Sequence, residues 1–382
     1  MLLYSGSILS LQCFVGFLLL NTPTTIPEMT GQMIMAGFEG TTLTPETEEL
    51  IRKYHVGGLI LFSRNYENPE QLYTLIRDAQ DVAASSSTGL PLFISVDQEG
   101  GRVARLTEPF TQYPPFCCLG NSGSEDLARR FGQSLAAELA DVGINMDYAP
   151  VLDVHTNPDN PIIGDRAIGS DPETVAKLAN AFIEGFRAKN MIPVGKHFPG
   201  HGDTHLDSHL DLPTVDRDAA TLEAVELLPF KETIARGLEV IMTAHVIYTA
   251  WDKDNPATFS KTILQDILRK RLGFQGIIMS DDLEMKAVEN YFPFEAFPRM
   301  GVEAGLDMFL ICNNVDKVRT LHDQLTRDVN KGTIPTAPIQ QSVERILHLK
   351  KNLTLPPAAP PNPGTWMDTH SEVSREMGSY SL

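Results

Sequence analysis

Between residues 29 and 352, short and nearly continuous apolar runs alternate with longer stretches in which apolar positions recur every three or four residues. Eight short runs stand out, at 32–38, 57–62, 92–97, 144–149, 192–198, 240–246, 276–281 and 305–311. A strand with one wet face alternates apolar and polar positions, whereas a run that is apolar throughout predicts a strand covered on both faces. The amphipathic stretches 68–84, 124–142, 172–189, 217–237 and 260–272 predict helices. Several of them open on Asn, Ser or Asp, whose side chains cap free backbone N–H groups. Gly143, Gly237 and Gly273 stand where a chain leaving a helix takes a left-handed turn. Eight β–α units in roughly 320 residues predict an α/β fold, a single (β/α)8 TIM barrel. A doubly wound open sheet is the competing architecture, but no GxGxxG follows the first strand.

The two ends depart from this pattern. Residues 8–20 form an apolar run of 13, too short to span a bilayer as a helix. The length suits the core of an export signal, yet no basic residue precedes it. Residues 1–28 are therefore expected to be an apolar N-terminal extension or a signal. The corresponding expectation is a cytoplasmic protein, exported or periplasmic if the signal is real. Residues 29–352 form the barrel. Residues 353–382 carry the proline-rich run 356–363 and are expected to be a mobile tail.

Charge narrows the partners. The 382 residues hold 31 Lys+Arg against 49 Asp+Glu, a net charge of −18, of which residues 52–352 keep −11. Nucleic-acid binding needs an excess of cations to displace the phosphate counterions, so that class is excluded, as is stable docking on anionic lipid. A monomer acting on a small molecule is expected. The four cysteines include no CxxC pair and are too few for a disulfide framework. The adjacent Cys117 and Cys118 are read as small buried hydrophobes.

In a barrel of this kind chemistry sits at the C-terminal ends of the strands, and the polar residues gather there. Strand three ends in Asp97 and runs into Gln98-Glu99-Gly100-Gly101-Arg102, and strand four leads to Asp153, His155 and Gly164-Asp165-Arg166. Strand five ends in Lys196-His197 and continues through three more histidines, making four in the 13 positions 197–209, while strand seven ends in Asp281-Asp282. An isolated Asp after a strand is more often a helix cap than a catalyst, and Glu99, Arg102 and Asp282 read equally well as salt-bridge partners that order loops. The segment 196–209 is harder to dismiss, because its glycines and proline make it a loop over a rigid scaffold.

Two chemistries fit that segment. One is a metal-dependent hydrolase using His201, His205 and His209, but Gly200 and Gly202 oppose the helix that would align them, and neither HExxH nor CxxC supports it. The other is acid/base work beside a carboxylate nucleophile. Asp281 closes a buried strand at the barrel mouth. Arg166, Lys196 and His197 are the cationic neighbours that would keep it ionised. Asp207 and His209, two residues apart, suit a carboxylate that fixes an imidazole acting as both acid and base.

The run Lys196-His197-Phe198-Pro199-Gly200-His201-Gly202-Asp203-Thr204, followed by Asp207-Ser208-His209 and Leu212-Pro213, resembles the signature of glycoside hydrolase family 3 β-N-acetylglucosaminidases of the NagZ type. Gly31-Gln32-Met33, Asp97-Gln98-Glu99-Gly100-Gly101-Arg102, Ala149-Pro150-Val151-Leu152-Asp153, Gly164-Asp165-Arg166 and Ser280-Asp281-Asp282-Leu283 support it independently, so that it covers nearly the whole barrel. The resemblance implies a retaining hydrolase with Asp281 as nucleophile, His209 as acid/base and Asp207 as its partner. It further implies that Asp97, Arg105, Arg166, Lys196 and His197 grip N-acetylglucosamine hydroxyls. The implied substrate is N-acetylglucosamine linked β-1,4 to 1,6-anhydro-N-acetylmuramic acid, with or without peptide, as met in peptidoglycan recycling. No cofactor or metal is expected. Two further readings keep the same fold. A phosphorolytic enzyme is compatible because a neutral His repels an incoming anion less than a carboxylate does, and a sugar-binding module without catalysis would need neither Asp281 nor His209.

Overall fold

The computed structural model describes residues 22–205, 208, 211–366 and 369–381. The apolar run 8–20 lies outside the described residues. Among the described residues ten strands follow one another: β1 Ile34–Gly37, β2 Gly58–Leu61, β3 Phe93–Val96, β4 Met146–Asp147, β5 Ile192–Phe198, β6 Thr214–Val215, β7 Val240–Thr243, β8 Ile247–Tyr248, β9 Ile277–Asp282 and β10 Met308–Ile311. Eight of them close a parallel barrel in the order β1-β10-β9-β7-β5-β4-β3-β2, so the chain is the expected (β/α)8 barrel. Each barrel strand falls on one of the eight apolar runs. The runs outlast the hydrogen-bonded ladder because burial continues past the last paired residue. Ile34, Met35, Phe93, Val96, Val240 and Ile278 are at most 1% exposed, and burying each such side chain contributes about 1.5–3 kcal/mol.

A few buried polar groups fix the strands to one another. Asn145 Oδ1 accepts from Ile94 N at 2.8 Å while its amide donates to Leu92 O, tying β3 to the approach of β4. Asp307, before β10, accepts from Ile278 N at 2.8 Å, Ser342 Oγ at 2.8 Å and Arg345 Nη1 at 2.9 Å, and pairs with Arg269. These bonds sit at the N-terminal ends of the strands and leave the other end free for chemistry.

Three expectations are corrected. The barrel's first helix, Ile26–Gln32, starts inside the segment read as an extension, and Thr25 and Glu28 close a capping box at its start. The expected helix 217–237 is two helices, Ala219–Ala224 and Leu227–Ala235; Pro229 has no N–H to continue the ladder across the junction. The C-terminal segment is not a loose tail throughout. Beyond the proline run, Trp366 is buried and the helix Thr369–Gly378 packs on the helix Glu125–Asp141 through Val373 and Met377. Prolines exclude helix and strand only locally, and the apolar residues after them resume helical spacing. The two-residue strands β6 and β8 pair outside the barrel; they are too short to leave a periodic signal. Among the described residues no helix is long and apolar enough to cross a membrane.

Candidate active site

At the C-terminal ends of the strands lies a cavity of about 360 Å³ lined by Asp97, Arg105, Arg166, Lys196, His197 and Asp281. Six of the eight expected site residues thus share one wall-to-wall space. Asp207 and His209 lie outside the described residues; Ser208, between them in sequence, lines the same cavity. A roomier cavity of about 510 Å³ opens around Leu238, Phe274 and Leu349, at the N-terminal ends of the strands. Barrels of this kind act at the C-terminal end, which makes the smaller cavity the site.

Its floor is an ion network. Lys196 Nζ lies 2.5 Å from both Asp97 Oδ1 and Glu99 Oε1. Arg166 grips Glu99 through two nitrogens, at 2.7 and 2.9 Å, and Arg105 Nη2 reaches Asp97 Oδ2 at 3.0 Å. Burial by itself would raise both carboxyls, but Lys196, Arg105 and Arg166 around Asp97, and Arg166 and Lys196 around Glu99, hold each below the usual carboxylate range. Three cations therefore face two carboxylates, and the site is locally cationic inside an acidic protein. Asp147 stands next to them, accepting from Gln98 N at 2.9 Å, and burial pushes its carboxyl well up from the ordinary range. Glu99, expected as a loop-ordering partner, is indeed paired with Arg166, and Arg102 meets Asp165 at 3.0 Å on the rim.

His197 is oriented from behind. Its Nδ1 is 2.7 Å from Asp153 Oδ2, and its backbone N–H donates to Asp153 Oδ1. The neighbouring imidazoles and backbone donors hold Asp153 down to about 2 against its burial. An ionised carboxylate only accepts, so Nδ1 is the nitrogen that donates to Asp153. His201 is fixed differently. Its Nδ1 meets Thr204 Oγ1 at 2.9 Å and its Nε2 meets Ser208 Oγ at 3.1 Å, and burial pushes its pKa down to about 4. Both ring nitrogens face hydroxyls rather than an ion. Among the described residues no group of three or more His, Cys, Asp or Glu side chains is placed to hold a metal.

The loop that carries these histidines is rooted tightly. Asn160 Nδ2 donates to the carbonyls of His201 and Gly202, Asn157 Nδ2 to that of Thr204, and Arg217 pairs with Asp203. At Gly200, φ is +136°, and a Cβ there would sit 2.7 Å from Glu226 Cβ. Glu226 itself is buried at the break between the two helices, with neither carboxylate oxygen hydrogen-bonded. Burial raises it to about 7. A carboxyl whose folded pKa lies above its unfolded value costs stability as pH rises between the two. Glu226→Gln is accordingly expected to raise Tm over the parent by a margin that widens from about pH 5 to about pH 8. A margin independent of pH in thermal melts would show that the carboxyl is already ionised in the fold.

Sequence reasoning missed the non-charged walls. Phe62, Tyr148, Met242, Leu310 and Cys312 also line the cavity, and apolar residues at strand ends look like any other core residue. Asp281 and Asp282 both line the cavity but differ in their partners. Asp282 Oδ1 accepts from the backbone N–H of Glu284 and Cys312, whereas Asp281 Oδ1 accepts from Asp282 N at 2.7 Å.

The glycosyl hydrolase family 3 N-terminal domain matches residues 25–349. The β-hexosaminidase of Nitrosomonas eutropha is 43% identical over 294 residues, covering 75% of this chain and 82% of that protein. A glycoside hydrolase family 3 β-N-acetylglucosaminidase from Paenibacillus sp. str. FPU-7 superposes with a TM-score of 0.91 at 37% identity, over 94% of this chain and 69% of the other. NagZ from Neisseria gonorrhoeae, solved in complex with N-trifluoroacetyl-D-glucosamine, superposes with a TM-score of 0.70 at 35% identity, over 83% of this chain and 98% of the other. The chain belongs to glycoside hydrolase family 3, and it is a glycoside hydrolase that acts as a β-N-acetylhexosaminidase.

Proposed function

We propose that the protein is a retaining enzyme that releases terminal N-acetylglucosamine from peptidoglycan fragments, in which the sugar is linked β-1,4 to 1,6-anhydro-N-acetylmuramic acid with or without peptide. The observation that carries the reading is the position of Asp281, a carboxylate on the wall of a cavity whose floor is cationic. A carboxylate nucleophile needs that surrounding to stay ionised. Asp281 attacks the anomeric carbon as the bond to the leaving oxygen breaks, and His209 gives that oxygen a proton. Water then attacks the glycosyl–Asp281 ester, loses its proton to His209, and frees the carboxylate. Asp207 holds the imidazole in the tautomer this exchange requires. Asp97, Arg105, Arg166, Lys196 and His197 hold the sugar hydroxyls. The gonococcal relative, solved in complex with N-trifluoroacetyl-D-glucosamine, supports a sugar of the N-acylated glucosamine class as the ligand.

His209→Ala is expected to slow substrates with poor leaving groups far more than activated aryl β-N-acetylglucosaminides, since the latter depart with little protonation. Equal losses in kcat on both would make His209 structural. Running the aryl assay with and without inorganic phosphate decides the phosphorolytic alternative: free N-acetylglucosamine in both is the expected product, and a sugar 1-phosphate formed only when phosphate is added would make phosphate, not water, the acceptor.

A further inference from the structure

The C-terminal strap does more than cover the barrel. Trp366, 2% exposed, packs its ring on Phe110 with centroids 4.9 Å apart and donates from Nε1 to Asp141 at 2.8 Å. In the helix Thr369–Gly378, Ser374 Oγ donates to Gln112 O at 2.8 Å. His370 Nδ1 lies 2.7 Å from Glu138 Oε1, a carboxylate that also receives Thr111 N and Thr111 Oγ1. Phe110, Thr111 and Gln112 belong to the loop after β3 that carries Arg105. Gln112 passes the contact inward, donating to the carbonyl of Leu106 at 3.2 Å. Gln98 holds the same turn from the inside, accepting from Arg105 N at 2.7 Å and Leu106 N at 3.1 Å. Arg105 then reaches Asp97 across the cavity floor. The loop is thus clamped between Gln98 within the barrel and the strap without.

We infer that the strap, through Trp366 and Ser374, is a positioning element for Arg105 and so sets affinity for the sugar without touching it. The inference rests on the reading that Arg105 grips substrate. Phe110 has the strap's indole as a ring partner, so without Trp366 its face is exposed and the segment 106–112 gains freedom that must be lost again on binding. Such a loss falls on ground-state and transition-state binding alike, which raises KM and spares kcat.

The test uses the full chain and an aryl β-N-acetylglucosaminide. Trp366→Ala and Ser374→Ala are each expected to raise KM, by about fivefold to tenfold for the former, with kcat within about twofold. Trp366→Phe should restore most of the affinity. In an Arg105→Ala background, Trp366→Ala should add nothing further. Val343→Ala, in the helix Thr336–Lys350, lowers Tm by opening the core away from the loop and should leave KM alone. An unchanged KM in Trp366→Ala and Ser374→Ala beside a raised KM in Arg105→Ala overturns the strap's role. So does an equal rise in Val343→Ala, or a double variant whose effects multiply. An unchanged KM in Arg105→Ala instead overturns the substrate contact itself, and the strap's role with it. Ser374→Ala removes one hydroxyl from a half-exposed face, so it reports on the loop even if Trp366→Ala fails to fold.

Discussion

Asp281→Asn should abolish turnover of an aryl β-N-acetylglucosaminide while leaving the barrel folded. The amide has the shape of the carboxylate, and its oxygen can still accept from Asp282 N, so the turn at the end of β9 keeps its backbone hydrogen bond. What is lost is the negative charge and the lone pair that bonds to the anomeric carbon. An amide oxygen does not form a stable glycosyl ester, and it cannot offset the positive charge that grows on the sugar ring. A fall in kcat of at least about 10³-fold is expected, which is about 4 kcal/mol of transition-state stabilisation. Asp282→Asn is the internal contrast. That side chain accepts from Glu284 and Cys312 backbone N–H groups, which an amide oxygen can also do, so its kcat should stay within about tenfold of the parent. Full activity in Asp281→Asn, or a larger loss in Asp282→Asn, would move the nucleophile to another residue.

The barrel was legible because every strand is buried on both faces, and burial on both faces leaves an uninterrupted apolar run. The site's place followed from the polar residues that end those runs, and Asp97, Arg105, Arg166, Lys196, His197 and Asp281 do meet in one cavity. How they meet was not legible. Lys196 shared between Asp97 and Glu99, and Arg166 committed to Glu99 and not to Asp281, are facts of distance across four strand ends. No spacing along the chain encodes them. The histidines of 196–209 show the opposite hazard. His201 has the sequence spacing of a metal ligand with His205, yet two hydroxyls satisfy its ring, because Thr204 and Ser208 close around it in the folded loop. The strap was hidden by its own prolines, and the break at Val225 and Glu226 by the good helical pattern on either side of it.

Glu99→Gln should be the most destabilising conservative change at the site. Glu99 is 1% exposed and compensates two buried cations, Arg166 and Lys196. Gln keeps the volume and one acceptor oxygen but removes the charge, leaving three cations about a single carboxylate, Asp97. Removing one partner of a buried ionic set costs about 3–5 kcal/mol, mostly because the charges left behind stay out of water. In a barrel of this size that corresponds to a Tm lower by several degrees. The pH dependence tests the cause. The folded-state pKa of Glu99 lies below its ordinary value, so its contribution is complete above the unfolded pKa of about 4.3 and disappears as pH falls through the folded value. The gap in Tm between parent and Glu99→Gln is therefore expected to be widest near neutral pH and to narrow steadily below about pH 4. A gap that stays constant from neutral pH to acid would assign the loss to packing rather than to the uncompensated charge of Lys196 and Arg166.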